Sequence, residues 1–260
     1  MPYALPRLSL FVALVAVTGL ALAEDPKKET GPMTATIGFV SDYTFRGITQ
    51  TSEHPALQGT FEYAHSSGLY AGLFASTVAF ADSTGAFKDT GRLETDLSAG
   101  YRFEALGLSW DVGGIAYLYP DQDRKPLVAN SDPKTKYNWY EYQAKTTYEA
   151  IKDKLAFTVG YNHSNNYWAD SGKLDYLYAS TKIALPFDAT LQGSVGHSKI
   201  KYNSRFGAHD YNDWMIGIGR EFFGVLVELR YVDTNISKRS EQPCADGCDP
   251  KAILAVSFSF

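Results

Sequence analysis

From about residue 34 to the end, the chain alternates between apolar and polar side chains, and almost every charge in the alternating segments falls on one of the two phases. Successive side chains of a β-strand point to opposite faces, so the pattern reads as strands with two chemically different sides. In 155–162, Leu155, Phe157, Val159 and Tyr161 share one face and Ala156, Thr158, Gly160 and Asn162 the other. In 225–232, Val225, Val227, Leu229 and Tyr231 oppose Leu226, Glu228, Arg230 and Val232. In 92–103, Leu93, Leu97, Ala99, Tyr101 and Phe103 oppose Arg92, Glu94, Asp96, Ser98 and Arg102. About twelve such segments, each about ten residues long, follow one another, as membrane-barrel strands require. They centre on 34–46, 56–65, 69–79, 92–104, 107–119, 137–149, 154–166, 174–185, 189–199, 211–222, 224–234 and 252–260. The phase of 69–79 is ambiguous.

The charges choose between a membrane barrel and a soluble one. The charged face carries the acids Asp42, Glu62, Glu94, Asp96, Asp111, Glu141, Asp213, Glu221 and Glu228. It also carries the bases Arg46, Arg102, Lys145, Lys182 and Arg230. The other face holds Ile, Leu, Val, Phe, Trp and Tyr, with Arg220 the main exception near a strand end, where it can snorkel. Lipid demands an outer face free of charge at mid-strand, whereas a soluble ligand-binding barrel would put its apolar face inside. Connections support the same reading. Short ones near 66–68, 105–106, 151–153, 186–188 and 223–224 alternate with longer polar ones near 47–55, 80–91, 120–136, 200–210 and 235–251; the connection at 169–172 is short. The expected fold is all-β: an up-and-down antiparallel transmembrane β-barrel over 34–260, with short periplasmic turns and longer extracellular loops.

The two ends add expectations. Residues 1–23 carry one cation, Arg7, an apolar stretch and Ala21-Leu22-Ala23, the pattern of a cleaved signal peptide; an N-terminal membrane anchor is the alternative. Residues 24–33 read as a short polar leader in the periplasm. No later run is long enough to span a membrane as a helix. At the other end Leu254, Val256, Phe258 and Phe260 alternate with Ala255, Ser257 and Ser259. The last strand is expected to pair with the first, with Val256, Phe258 and Phe260 facing lipid and forming the signal read by the outer-membrane assembly machinery. Outer-membrane lipids and small polar solutes are the other expected partners. A formal net charge of −5 argues against nucleic acid.

The inner charges are the candidate site. Lone charges are costly to desolvate, so these must pair across strands, line water, or both. The acidic surplus favours cations if water passes; a ladder of structural ion pairs with little conductance is the alternative. Arg46, placed where an external loop begins, either constricts the mouth or pairs with Asp42 on the same face. Cys244 and Cys248, in the last long loop, suit a disulfide in an exported protein, with metal binding beside Asp246 and Asp249 the weaker option. No cofactor and no metal centre is expected, since His54, His65, His197 and His209 lack metal-ligand spacing. YNHSNNYW (161–168) raises a barrel hydrolase as an alternative. His163 and Ser164 are adjacent, however, and so face opposite sides of a strand, where a nucleophile and its base could not meet. A non-conducting structural or adhesive barrel is the other alternative.

Several stretches resemble one family. SDYTFRGITQT (41–51), PALQGTFEYAHSSGLYAG (55–72), WDVGGIAYLYP (110–120), YNDWMIGIGREFFG (211–224), LRYVDTN (229–235) and CDPKAILAVSFSF (248–260) are similar to the TorF family of proteobacterial outer-membrane proteins. The resemblance covers nearly all of the chain after residue 23. It implies an outer-membrane barrel assigned as a pore and says little about its substrate. Gly114 and Ala116 stand where the family often shows Tyr.

Overall fold

The structure is a computed structural model that describes residues 32–79, 92–120, 137–203, 209–236 and 247–260. Its barrel strands are β1 (Met33–Val40), β4 (Ala56–Ala64), β5 (Leu69–Thr77), β6 (Leu93–Ala105), β7 (Leu108–Leu118), β8 (Trp139–Ile151), β9 (Leu155–Tyr167), β10 (Gly172–Leu185), β11 (Ala189–Ile200), β12 (Tyr211–Phe222), β13 (Val225–Thr234) and β14 (Lys251–Ser259). Two short strands, β2 (Thr44–Phe45) and β3 (Ile48–Thr49), form a separate hairpin. The twelve long strands close into one antiparallel barrel, each paired with its neighbours in the chain. Closure joins β1 to β14, with Thr36 opposite Ser259 and Val40 opposite Ala255. Full closure removes the unpaired edges that an open sheet would expose.

The alternation read from the sequence becomes two surfaces. Ile37, Phe61, Leu97, Val159, Ile216 and Leu254 are among the exposed apolar residues facing out. On the outside near one short turn, Tyr101 stacks on Phe103 at 5.7 Å and Phe103 on Trp110 at 6.3 Å. Val256 is half-buried, and Phe258 and Phe260 are exposed at the same end of the barrel. Arg220 is on the outer face at the end of β12, its guanidinium 5.0 Å from the Phe222 ring. The ambiguous phase of β5 resolves with Tyr70, Phe74 and Ser76 inward and Leu69 and Leu73 outward.

Tight turns close the short-loop end. Leu106-Gly107 and Phe223-Gly224 each have positive φ at both residues (58° and 72°, 53° and 82°), as a two-residue hairpin turn that follows the strand twist requires. The polar connections within 80–91, 121–136, 204–208 and 237–246 lie outside the described residues, as do residues 1–31 with the expected signal peptide and most of the leader.

One expectation is corrected. The alternation predicts a first strand over 34–46 with an external loop after it; β1 instead ends at Val40, and 41–55 folds back into the barrel. Arg46 (φ 49°) and Gly47 (φ 80°) form the hairpin turn between β2 and β3. Hydroxyls hold the fold-back from within. Thr49 and Thr51 both donate to Asp42 Oδ1, Thr51 at 2.8 Å, and the Tyr43 amide donates to Thr51 Oγ1 at 3.1 Å. Alternating Ser41, Tyr43 and Phe45 reads equally well as a continued strand, which is why periodicity alone extends it.

Candidate functional site

The interior carries buried charges beside a buried aromatic and aliphatic cluster that includes Phe45, Phe74, Ile115, Tyr117 and Trp139, and the inward hairpin divides it into two belts. Each charged residue assigned to the inner face takes an inward register position, except Asp42 and Arg46, which belong to the fold-back segment. The upper belt, at the end of the barrel away from the short turns, contains the hairpin with Glu94, Asp96, Glu141 and Asp213. The lower belt contains Glu62, Arg102, Asp111, Lys145, Glu228 and Arg230. Lys182 and Glu221 lie near the ends of β10 and β12, and both are exposed.

In the lower belt each carboxylate has a cation from the wall itself. Arg102 donates Nη1 and Nη2 to the two oxygens of Glu62 at 2.6 and 2.8 Å, a bidentate pair. Its Nε reaches Asp111 at 3.3 Å, and Lys145 Nζ lies 3.4 Å from the same carboxylate. Tyr70 donates to Asp111 at 2.8 Å and accepts from Gln143 at 3.0 Å. The Arg102 guanidinium lies 3.9 Å above the Tyr70 ring. Across the barrel Arg230 donates to Glu228, which also accepts from Gln192 at 2.7 Å. Three carboxylates therefore face three cations here.

Glycines decide where the lower-belt rings lie. Tyr70 is opposite Gly100, and Tyr178 is opposite Gly160 and Gly196 in the strand pairing. Without a Cβ beneath them the rings lie down over the neighbouring backbone. A methyl at Gly160 would collide with the Tyr178 ring, and one at Gly100 would come within 2.5 Å of the Tyr70 hydroxyl. The rings thus flatten against the wall instead of standing across the lumen.

The upper belt depends on the hairpin. Tyr43 donates to Glu94 at 2.6 Å, and Tyr119 donates to the other Glu94 oxygen. Phe45 meets Tyr117 edge-on at 5.6 Å and Trp139 at 6.2 Å. Arg46 Nη2 donates to Glu141 Oε2 at 2.7 Å, with side chains 2% and 0% exposed. Its guanidinium is 4.1 Å from the Tyr176 ring and 4.7 Å from that of Phe45. Burial works against the charge of Arg46, and the ion pair with Glu141 offsets that cost. At the tip, Gly47 lies so close to Thr234 and Asp213 that a Cβ would collide. The hairpin therefore reaches from β1 to the walls of β6, β7, β8, β10, β12 and β13.

This belt is not neutralised. Among the described residues, Asp42, Glu94, Asp96, Glu141 and Asp213 meet only Arg46 and Lys251, the latter 3.3 Å from Asp42 and 3.0 Å from Glu53. Neither carboxylate oxygen of Asp96 has a hydrogen-bond partner among the described residues, although the residue is 1% exposed. Arg46 thus pairs with Glu141 and not with Asp42, the alternative its position suggested. Sequence reasoning misses Lys251; carrying the phase of Ile253 and Ser257 two residues further back would find it. It also misses Tyr43 and Phe45, which the continued alternation of β1 would place on the outer face with Ile37 and Phe39, and Trp139 and Tyr176, inner-face aromatics that carry no charge to mark them.

Elsewhere, His163 faces outward, 2.8 Å from Asp175, while Ser164 faces inward and is buried. The two do not meet. Cys248 is buried and disulfide-bonded; Cys244 lies outside the described residues.

Among solved structures the chain resembles outer-membrane porins. Against a KdgM porin the TM-score is 0.55 at 9% identity, covering 87% of this chain and 99% of that one. A KdgM porin in complex with disordered oligogalacturonate gives 0.54 at 9% identity, covering 88% and 99%. The NanC porin gives 0.53 at 10% identity, covering 86% and 97%. At these identities the likeness is one of fold. A comparison with curated protein sequences finds no match. Residues 26–260 match the model of Gcw_chp, a family described as a bacterial protein of unknown function. The chain belongs to the Gcw_chp family.

Proposed function

We propose that the chain is a porin-like barrel of the outer membrane that passes small polar solutes or ions along its lumen, with a preference for cations. The observation that carries the reading is the sorting of the two surfaces. The wall is closed and apolar outside, and its charges lie inside, beside a buried aromatic cluster. Similarity in fold to porins supports it, and so does the resemblance to the TorF family. Cation preference follows from the upper belt, where carboxylates outnumber bases and Asp96 has no hydrogen-bond partner among the described residues. The oligogalacturonate named with one KdgM porin is not carried over, because its carboxylates would meet these. Export by a cleaved signal peptide, assembly through Val256, Phe258 and Phe260, and a Cys244–Cys248 disulfide belong to the same proposal.

A second reading has its own observation. The hairpin reaches across the lumen, so the resting barrel could be a non-conducting scaffold for its external loops. Single-channel recording of the refolded protein in a planar bilayer, under a salt gradient, separates the two. Discrete steps with a reversal potential on the cation side are expected. Anion-selective steps would keep the pore and overturn the role given to the upper-belt carboxylates. A folded barrel without current, from which current is also absent when 44–49 is deleted, would remove the pore.

A further inference from the structure

We propose that the wall around Glu141 is a binding site for a guanidinium-bearing solute, occupied in the resting barrel by the chain's own Arg46. The inference deepens the pore reading, since a solute must enter the lumen to reach the site.

The wall supplies everything that guanidinium recognition needs. Glu141 offers a carboxylate that two neutral donors hold in place: Asn162 Nδ2 at 3.0 Å and Trp139 Nε1 at 3.3 Å. Tyr176 offers an aromatic face 4.1 Å from the bound cation, and its hydroxyl donates to Asp213 at 3.1 Å. A planar cation between a fixed carboxylate and a ring face is stabilised by both the ion pair and the ring quadrupole. These groups stand on β8, β9, β10 and β12, so they remain when the hairpin leaves.

Arg46 fills this site imperfectly. It reaches in from a left-handed backbone position, φ 49°, that a non-glycine residue adopts at a cost. Only Nη2 bonds to Glu141; Nε and Nη1 have no hydrogen-bond partner among the described residues, and neither does Asp213 Oδ2. A guanidinium can engage a carboxylate through two parallel bonds. A free solute, not tethered to a turn, can rotate to make the second bond that Arg46 does not. The tether still gives Arg46 a high effective concentration, so the occupied site binds added solute weakly. Displacement of Arg46 would release the hairpin tip from the lumen.

The test uses the full-length chain refolded in detergent, with agmatine as the guanidinium probe and 1,4-diaminobutane as a cation without one. Binding is read by calorimetry and by tryptophan fluorescence, since Trp139 lines the site. Arg46→Ala should bind agmatine at least tenfold more tightly than the unmodified chain. Arg46→Ala combined with Glu141→Gln should lose that binding, and 1,4-diaminobutane should bind to neither. Arg46→Gln serves if Arg46→Ala does not refold. Equal affinity for agmatine with and without Arg46 would overturn the site, and equal binding of the two probes would overturn the guanidinium class. Conductance of the same proteins keeps this apart from the pore reading. Steps without agmatine binding remove the site and leave the pore; agmatine binding without steps does the reverse.

Discussion

The two belts of the lumen solve the same problem in different ways. Both hold carboxylates away from bulk water. The lower belt neutralises them with Arg102, Lys145 and Arg230, side chains of strands that cannot leave. The upper belt neutralises Glu141 with Arg46, a residue on a hairpin turn, and leaves Asp96 with no hydrogen-bond partner among the described residues. A cation on a strand must be paired wherever the barrel exists. A cation on a hairpin can withdraw into water and take the cost with it. The difference marks the lower belt as structural and the upper belt as the place where function is to be sought.

The comparison is sharpest at its two arginines. Arg102 bridges Glu62 and Asp111, and replacing it by Met leaves both carboxylates facing Lys145 alone. Breaking a buried ion pair from one side costs about 3–5 kcal/mol. Arg102→Met is expected to lose that much in denaturant unfolding followed from a lipid-reconstituted barrel. Arg46→Ala breaks a pair that is more deeply buried, yet it should lose less than about 1 kcal/mol, because the hairpin can move and water can reach Glu141. Equal losses at the two positions would erase the distinction between the belts.

Much of the barrel is legible in the sequence. Period-two alternation places the strands, and the sorting of charges tells a membrane barrel from a soluble one, because side-chain direction in a strand is fixed by the backbone. The hairpin is not legible. Tyr43, Phe45 and Arg46 continue the alternation of β1, and nothing in 41–46 marks the point where the chain turns inward. The partner of Arg46 is 95 residues away on β8, a distance that periodicity does not see. The flat tyrosines are hidden for a related reason. Gly160 and Tyr178 mean something together only once the register sets them opposite each other.

That register supplies a smaller test. Gly160→Ala puts a methyl where the Tyr178 ring lies, so the ring must swing off the wall. Overpacking of this kind costs about 1–3 kcal/mol. The double change Gly160→Ala with Tyr178→Ala should recover part of the loss, because the methyl then meets no ring. A Gly160→Ala barrel as stable as the unmodified one, by the same unfolding assay, would mean that glycine is not what lays the ring down.

The smallest expected change in stability is at Asp96, and its sign is what matters. The lower belt teaches that a buried carboxylate in this barrel has a partner; among the described residues Asp96 breaks that rule, and Glu94 lies two residues away on the same face of β6. An amide of the same shape keeps the packing and carries no charge to desolvate. Asp96→Asn is therefore expected to leave the unfolding free energy unchanged or to raise it by about 1 kcal/mol, the opposite of a change at Arg102. The reversal potential under a salt gradient should move toward zero in the same variant, since one of the carboxylates that favours cations is gone. A loss of stability would show that Asp96 supports the wall as the lower-belt charges do. Unchanged selectivity would place the path of ions elsewhere in the lumen, and with it the reason for keeping Asp96 in the upper belt.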